Sequence, residues 1–402
     1  MRHRAMQRTW LEVDLDTVLS NYHYAISKLH DDTNFITVVK ADAYGHGSPA
    51  FVKLLEAEKQ LFAFAVATID EAIQLRRLGI KKRILVLGYV APELAGEICE
   101  HELTVPLVSL NHAQKMSAAA VEAGCTVCAH IKIDSGMCRL GLVNHDASDL
   151  ERTLADAEAI LALPNLAVDG IFTHFATSGW EDSTHSDTQF KNFQIVLDGL
   201  EEKGHRLPYA HCCNSGAIAF HPEYELHAVR SGSLHYGFQP SPTRPIKEIR
   251  SPLSMRSRIA QVKELRAGAS IGYDRTYVVE GSMTMGVVPV GYADGVPFEM
   301  SNAGCVLVNG RRAPVVGKIC MDQLMIDLTN IPDVEEGQIC TIFGADNGTE
   351  LDVFAMCSEI KAHPAQFLCN ITGRVPRVYF QNGEIVGAQT GILDQTPDAF
   401  HK

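Results

Sequence analysis

"FITVVKADAYGHG", residues 35–47, starts as a buried strand and then stops being one. Its first five residues are β-branched or apolar, the make-up of a strand covered on both faces. The run ends on Lys40, a residue rarely left inside a core. Gly45-His46-Gly47 then permits a tight turn into a helix, whose first backbone N–H groups would receive an anion. Lys40 has two readings at this point: a lysine snorkelling at a strand end, or a desolvated amine of lowered pKa that forms a Schiff base.

Outward from this stretch, seven more apolar runs follow: "LFAFAVA" (61–67), "ILVLGY" (84–89), "TVPLV" (104–108), "VCAHIKI" (127–133), "VDGIFTHF" (168–175), "YAHCCNS" (209–215) and "AVRSGSL" (228–234). Segments between them, such as "IDEAIQLRRLGI" (69–80) and "LNHAQKMSAAAVEAG" (110–124), carry apolar residues at helical spacing with glycine near the end. Eight buried strands alternating with helices predict a closed (β/α)8 TIM barrel; a doubly wound open sheet is the alternative.

Beyond about residue 245 the texture is β-rich: "SMTMGVVPVGYADG" (282–295), "CVLVNGRRAPVVGKICMDQLMIDL" (305–328), "QICTIFGADNG" (338–348) and "RVYFQNGEIVGA" (377–388). Asn309-Gly310 and Asn382-Gly383 each separate two such runs, a strong hairpin signal. The expected class is α/β, with a barrel domain over 1–245, a mostly β C-terminal domain over 246–388 and a tail over 389–402. A chain of 402 residues accommodates two domains.

A formal charge of −13 argues against nucleic acid or an anionic membrane as partner, since both need a basic face. A small-molecule substrate is expected instead. The eleven cysteines, mostly within apolar runs, form no even framework, so they read as reduced residues of a cytoplasmic protein with no metal site. Neither a signal peptide nor a membrane-spanning run is evident.

In a (β/α)8 barrel the chemistry gathers where strands end. Lys40 ends the first run, Lys132 and Arg139 stand in and after the fifth, His174 ends the sixth, Asn214 and Ser215 end the seventh, and Arg230 lies in the eighth. Phosphate sites in such barrels are often built by the loops after strands seven and eight, which here carry Ser215 and the Arg230–Ser233 run "RSGS". A lysine and a phosphate cradle on one rim point to pyridoxal 5′-phosphate.

"VVKADAYGHG", "KIDSGMCRLG", "FTHFA", "HCCNS", "VRSGSLHYG", "IGYDRTY", "GYADG", "GKICMDQ" and "RVPRVY" occur in the order found in the bacterial alanine racemase family, and by them the chain resembles those fold-type III enzymes. The resemblance implies that Lys40 holds the cofactor and serves as base for the D-enantiomer, and that Tyr273 is the base for the L-enantiomer on the opposite face. A structural tyrosine is the plainer alternative for Tyr273. Because tyrosine's ordinary pKa is about 10, a cationic neighbour is expected to favour its phenolate, and His174 matches the histidine that contacts it. Arg230 matches the arginine facing the pyridine nitrogen, with His211 as its partner; a rim salt bridge is the plainer reading. Tyr44, Ser215, Gly232 and Ser233 match phosphate-binding positions. Lys132 corresponds to a lysine that is often carbamylated and pairs with Arg139, which holds the cofactor phenolate or the substrate carboxylate. Met321 and Asp322 match the second subunit's contribution near that carboxylate. The family's homodimer with shared sites, and its supply of D-amino acids to peptidoglycan, are expected by the same resemblance.

Two positions depart from the family. Ahead of "CNITGRVPR" this chain has "AHPAQ", placing Ala365 and Gln366 where a Tyr-Glu pair is usual, and after "GYADG" it has Val296-Pro297-Phe298 where Tyr-Pro-Arg is usual. Ala365 opens room beside the substrate side chain and Phe298 alters the access corridor, so serine is expected as a substrate besides alanine; a strict alanine racemase is the alternative. Arg230 argues against a decarboxylase of this fold type, which places an acid at the pyridine nitrogen. The C-terminal third and Tyr273 argue against a non-catalytic carrier of the cofactor, and the missing Cys/His cluster near the C-terminus against metal-dependent aldolases and dehydratases sharing the barrel.

Overall fold

The computed structural model describes residues 2–392, which divide into two compact units, one of residues 17–43 and 48–251, the other holding residues up to 16, 44–47 and those from 252 on. In the first, eight strands run parallel: Asn34–Val38, Leu61–Val66, Arg83–Val86, Leu103–Leu107, Val127–Asp134, Leu166–Phe172, Tyr209–His211 and Ala228–Ser231. Each pairs with the next, and the last pairs back onto the first through Val229 opposite Phe35 and Arg230 opposite Ile36. That closing pair makes a (β/α)8 barrel and rules out the open sheet.

Most of the strands are almost wholly buried, as their continuous apolar runs require, but Leu166–Phe172 is buried only from Gly170 on. Several of the helices between them start where a side chain satisfies their first N–H groups. Ile69–Arg77 opens on a capping box of Thr68 and Glu71, and Leu110–Glu122 on Ser109.

The second unit is mostly β. Its main sheet runs in the order Arg311–Pro314, Cys305–Val308, Ile339–Asp346, Leu253–Arg258, Thr9–Asp14, Arg377–Gln381, Glu384–Gln389, with Thr349–Leu351 paired beside Ile339–Asp346. Smaller sheets join Gln261–Leu265, Met283–Val288 and Leu324–Asp327, and Ser270–Ile271 with Tyr277–Val278. At both Asn-Gly pairs the flanking residues are register partners and both turn residues have positive φ, 52° and 74° at Asn309-Gly310, 51° and 75° at Asn382-Gly383. These are two-residue turns whose backbone only Asn and Gly enter readily.

The boundary drawn from sequence at 245/246 differs from the structure at the N-terminus. Thr9–Asp14 lies in the middle of the β unit's sheet, antiparallel to Leu253–Arg258 and parallel to Arg377–Gln381. Its partners are more than 200 residues away, beyond any local pattern. Within the expected tail, Gln389 still ends a strand, and residues 393–402 lie outside the described residues. Cys138 and Cys369 are exposed rather than buried. Among the described residues no helix is long and apolar enough to cross a membrane.

Candidate active site

The first barrel strand ends at Val38, and the chain then winds the wrong way. Ala41, Asp42, Ala43 and Tyr44 have φ of 53°, 52°, 53° and 53°, a left-handed helical turn closed by Ala43 N–H to Val39 O at 2.9 Å. Each such L-residue costs roughly 1–2 kcal/mol, so the turn persists only because its surroundings impose it. Glu71 Oε1 accepts from Ala41 N–H at 2.6 Å, and Asp42 Oδ1 accepts from Ser48 N–H at 2.7 Å. Tyr236 Oη donates to Val38 O at 2.7 Å, bracing the strand end. The turn leaves Lys40 half-buried at the strand's carboxyl end.

Arg230, in the eighth strand, is buried, and its two terminal nitrogens are fully engaged. Nη1 donates to His211 Nδ1 at 2.7 Å and His211 O at 3.0 Å; Nη2 donates to Thr173 O at 2.6 Å and Cys212 O at 3.1 Å, and lies 3.3 Å from His174 Nδ1. Nε–H has no acceptor among the described residues. Burial lowers the guanidinium to about 10, so it stays a charged donor near neutrality.

The other cationic groups of the sixth and fifth strands bear on the same place. Burial, then Arg230 and Arg139, push the Lys132 amine well below its usual pKa; its Nζ stands 4.5 Å over the Phe172 ring that also faces Arg230. Burial, then Arg230, Lys132, Arg139 and Lys40, hold His174 well below 6.5. His174 is therefore neutral, which corrects the idea of a cationic histidine. Its Nδ1 faces the Arg230 guanidinium, an arrangement that suits a ring proton on Nε2.

The loop after the seventh strand is organised by Asn214, whose Oδ1 caps the helix Ser215–Phe220 at Gly216 and Ala217 N–H. Ser215 Oγ accepts from Gly232 N–H at 3.0 Å and Leu234 N–H at 3.4 Å, so Ser215, Gly232 and Ser233 come together after strands seven and eight. Ser231 Oγ is buried there with no partner among the described residues. Asp134 shapes the loop that carries Arg139: Gly136, Met137 and Cys138 all donate N–H groups to its Oδ1. Asp134, Cys138 and His145 also form a grouping with metal-ligand spacing, which the sequence reading had not expected.

The remaining candidates lie in the β unit. Burial pushes the Tyr44 phenol up to about 12, keeping it a hydroxyl donor. Tyr273 is 68% exposed and follows Gly272, whose φ of 71° and ψ of −171° belong to glycine alone. Met321 is exposed, its carbonyl taking Ala293 N–H at 3.0 Å, and Asp322 is held by Arg374 at 2.6 Å. Phe298 is half exposed, edge-on to Tyr292 at 6.3 Å. Ala365 lies half-buried at the start of the helix Pro364–Asn370.

The sequence reading overlooked the residues that hold these in place. Glu71 was visible as part of a capping box. Arg377, buried in "RVPRVY", donates to Gly45 O at 3.1 Å and to the carbonyls of Ile371, Thr372 and Val375. Fully buried Asp294 of "GYADG" is paired with Arg8 and caps Gly291 N–H at 3.0 Å. Barrel-interior His130 and Asp169 gave no local signal.

This donor set fits pyridoxal 5′-phosphate. A lysine at one strand end, hydroxyls and backbone N–H groups after strands seven and eight, and one spare guanidinium N–H match its aldehyde, its phosphate and its ring nitrogen. Residues 13–240 match the family model described as "Alanine racemase, N-terminal domain" and residues 252–379 the one described as "Alanine racemase, C-terminal domain". The chain is 38% identical over 375 residues to the alanine racemase of Desulfosudis oleivorans, covering 92% of this chain and 96% of that one. It is 33% identical to a solved alanine racemase structure from Clostridium difficile 630 (TM-score 0.89, 96% of this chain, 99% of that chain), and 31% identical to that of Bacillus anthracis with bound L-Ala-P (TM-score 0.89, 97% and 99%). With both of its halves matched and its site built for that cofactor, the chain belongs to the alanine racemase family of pyridoxal 5′-phosphate-dependent amino-acid racemases.

Proposed function

We propose that this protein interconverts L- and D-alanine, and L- and D-serine beside it, with Lys40 and Tyr273 as the two bases. When bound, pyridoxal 5′-phosphate supplies the electron sink that makes the substrate's Cα–H acidic. Racemisation then needs a proton taken from one face and returned to the other, which two bases of different origin accomplish. Lys40 removes or returns the proton on the D side, and Tyr273 on the L side. The observation that carries this reading is Arg230: its terminal nitrogens are occupied, and the one N–H left belongs to a group that does not give up its proton. Such a donor keeps the ring nitrogen unprotonated and the sink weak, which suits proton exchange better than decarboxylation or transamination.

Tyr44, Ser215, Gly232 and Ser233 hold the phosphate in this proposal. Neutral His174 donates from Nε2 to the phenolate of Tyr273, and the charge that favours the phenolate comes from Arg230 behind it. Lys132, kept largely neutral, is in the form that adds carbon dioxide; the N–C bond forms, a proton leaves, and the resulting anion pairs with Arg139. Arg139, the Met321 N–H and Asp322 sit toward the substrate carboxylate. The exposure of Tyr273 and Met321 supports a homodimer in which each chain lends them to its partner's site. We place the protein in the cytoplasm, supplying D-amino acids for peptidoglycan, with the functional boundary between domains near 245.

Deuterium wash-in at Cα of alanine and serine tests the reading. The parent should label both enantiomers of both substrates, and Tyr273→Phe should lose labelling that begins from the L-enantiomer. A Tyr273→Phe enzyme that exchanges both enantiomers at the parent's rate refutes the two-base assignment. For substrate range, a preference for alanine over serine of a hundredfold or more, about 2.7 kcal/mol in transition-state binding, refutes the widening ascribed to Ala365 and Phe298.

A further inference from the structure

A chain of buried polar groups leads from Arg230 down the barrel interior. Arg230 Nη1 meets His211 Nδ1 at 2.7 Å; His211 Nε2 meets His130 Nδ1 at 2.9 Å; His130 Nε2 stands obliquely 3.2 Å from Asp169 Oδ1 and 3.3 Å from Arg83 Nη1; and Arg83 Nη2 donates to Asp169 Oδ2 at 2.6 Å. His211 and His130 are almost wholly buried, whereas Arg83 and Asp169 keep side-chain exposures of 25% and 31% toward the amino-terminal ends of the strands.

Counting protons along this chain leads to a conflict. Both ends are guanidiniums, which only donate. Burial disfavours the charged form of both histidines, so each carries one ring proton. If His211 Nδ1 accepts from Arg230, its proton is on Nε2 and is given to His130 Nδ1, so His130's own proton is on Nε2 and faces Arg83. In the reverse order His130 Nε2 accepts from Arg83, and the surplus proton meets Arg230 at 2.7 Å instead. Two neutral imidazoles between two arginines always leave one N–H facing another N–H. Asp169 is the group able to absorb it: its Oδ2 accepts from Arg83, while its Oδ1, which has no hydrogen-bond partner among the described residues, stands 3.2 Å from His130 Nε2, where a small turn of the carboxylate would let it accept a proton from that nitrogen.

We infer that Asp169 is a positioning residue for racemisation: it fixes His130 and His211 as Nε2–H tautomers, and through them aims the Arg230 guanidinium with Nε–H toward the cofactor ring. The inference rests on the racemase reading only for what Arg230 faces. Its test does not depend on turnover.

The ring nitrogens of 15N-histidine-labelled holoenzyme report the tautomers directly. In the parent both His130 and His211 should be Nε2–H; the opposite tautomer at His211 overturns the inference without any substitution. Asp169→Asn, which keeps the shape but lets Arg83 donate to His130, should move both histidines toward Nδ1–H, shift the cofactor's absorption band and lower kcat by tenfold or more with KM little changed. Asp169→Glu should restore much of this. Arg83→Met in the Asp169→Asn background, by removing the competing donor, should return the parent's tautomers. If Asp169→Asn leaves the ring nitrogens and absorption band as in the parent, or if the added Arg83→Met restores nothing, Asp169 does not set the tautomers.

Discussion

Gly170 gives its side-chain space to His130: a Cβ placed on Gly170 would stand 2.5 Å from the imidazole. The residue next to Asp169 is therefore bare so that a ring can lie across it, and the His130–His211 contact depends on a missing methyl group. Gly170→Ala should push His130 aside, destabilising the barrel by about 1–3 kcal/mol through overpacking. Activity should fall further than stability explains. Urea unfolding and kcat measured on the same preparation separate the two losses.

Gly272 sets the direction of Tyr273. An alanine there would be strained by roughly 1–3 kcal/mol, and relief of that strain would swing the phenol. Gly272→Ala should cut kcat/KM by the same factor in both directions, because in the two-base reading proposed above each direction uses both bases and the equilibrium constant ties the two. Cofactor absorption should be unchanged, since Tyr273 does not hold the cofactor. Polarimetric rates from each enantiomer, beside an absorption spectrum, check this.

Glu71 accepts N–H groups from Ala41 and Ala67, and Thr68 N–H at 3.2 Å. Glu71→Ala leaves them unanswered, at about 1–3 kcal/mol for each that stays buried. The left-handed turn carrying Lys40 should relax first. Slower and weaker binding of pyridoxal 5′-phosphate to the apoenzyme, followed by its absorption on reaction with Lys40, is the expected result.

His235 lies among Tyr22, Phe35 and Phe51, and burial pushes it down to about 3. Below pH 6.5 the unfolded chain takes up a proton here that the folded chain refuses, so stability falls as pH falls from 6.5 toward 3. Between pH 7 and pH 5 this one residue costs about 2 kcal/mol. His235→Phe should flatten the loss by that amount in urea titrations at the two pH values.

Lys132 offers a direct test of modification. Holoenzyme equilibrated with 13C-bicarbonate should show a carbamate carbon resonance that is missing from Lys132→Met. A parent spectrum without it means that Arg139 is paired by other means.

The barrel was legible because its strands are short, apolar and alternate with helical segments, and the motif lysine marks where the first one ends. Both Asn-Gly hairpins were legible for an equally local reason. Thr9–Asp14 was not, because its pairing depends on residues near 255 and 379 that no window around it contains. At the site, residues ending strands could be collected from the sequence. Their supports could not: Arg377 acts on Gly45 across 332 residues, and Asp169 matters only through the stacking order of four other side chains.

The placement of Thr9–Asp14 has a consequence for anyone wishing to dissect this enzyme. The central strand of the β unit is synthesised first and its flanking strands last, so that sheet stays incomplete until residues near 380 have emerged. No single cut near residue 250 yields two self-sufficient fragments, since the C-terminal piece would lack its middle strand. A circular permutant that starts at Pro252 and rejoins the present C-terminus to the present N-terminus ahead of Thr9 would make the β unit contiguous except for residues 44–47. In such a gene the sheet could form before any of the barrel is made, and the order of assembly would be reversed.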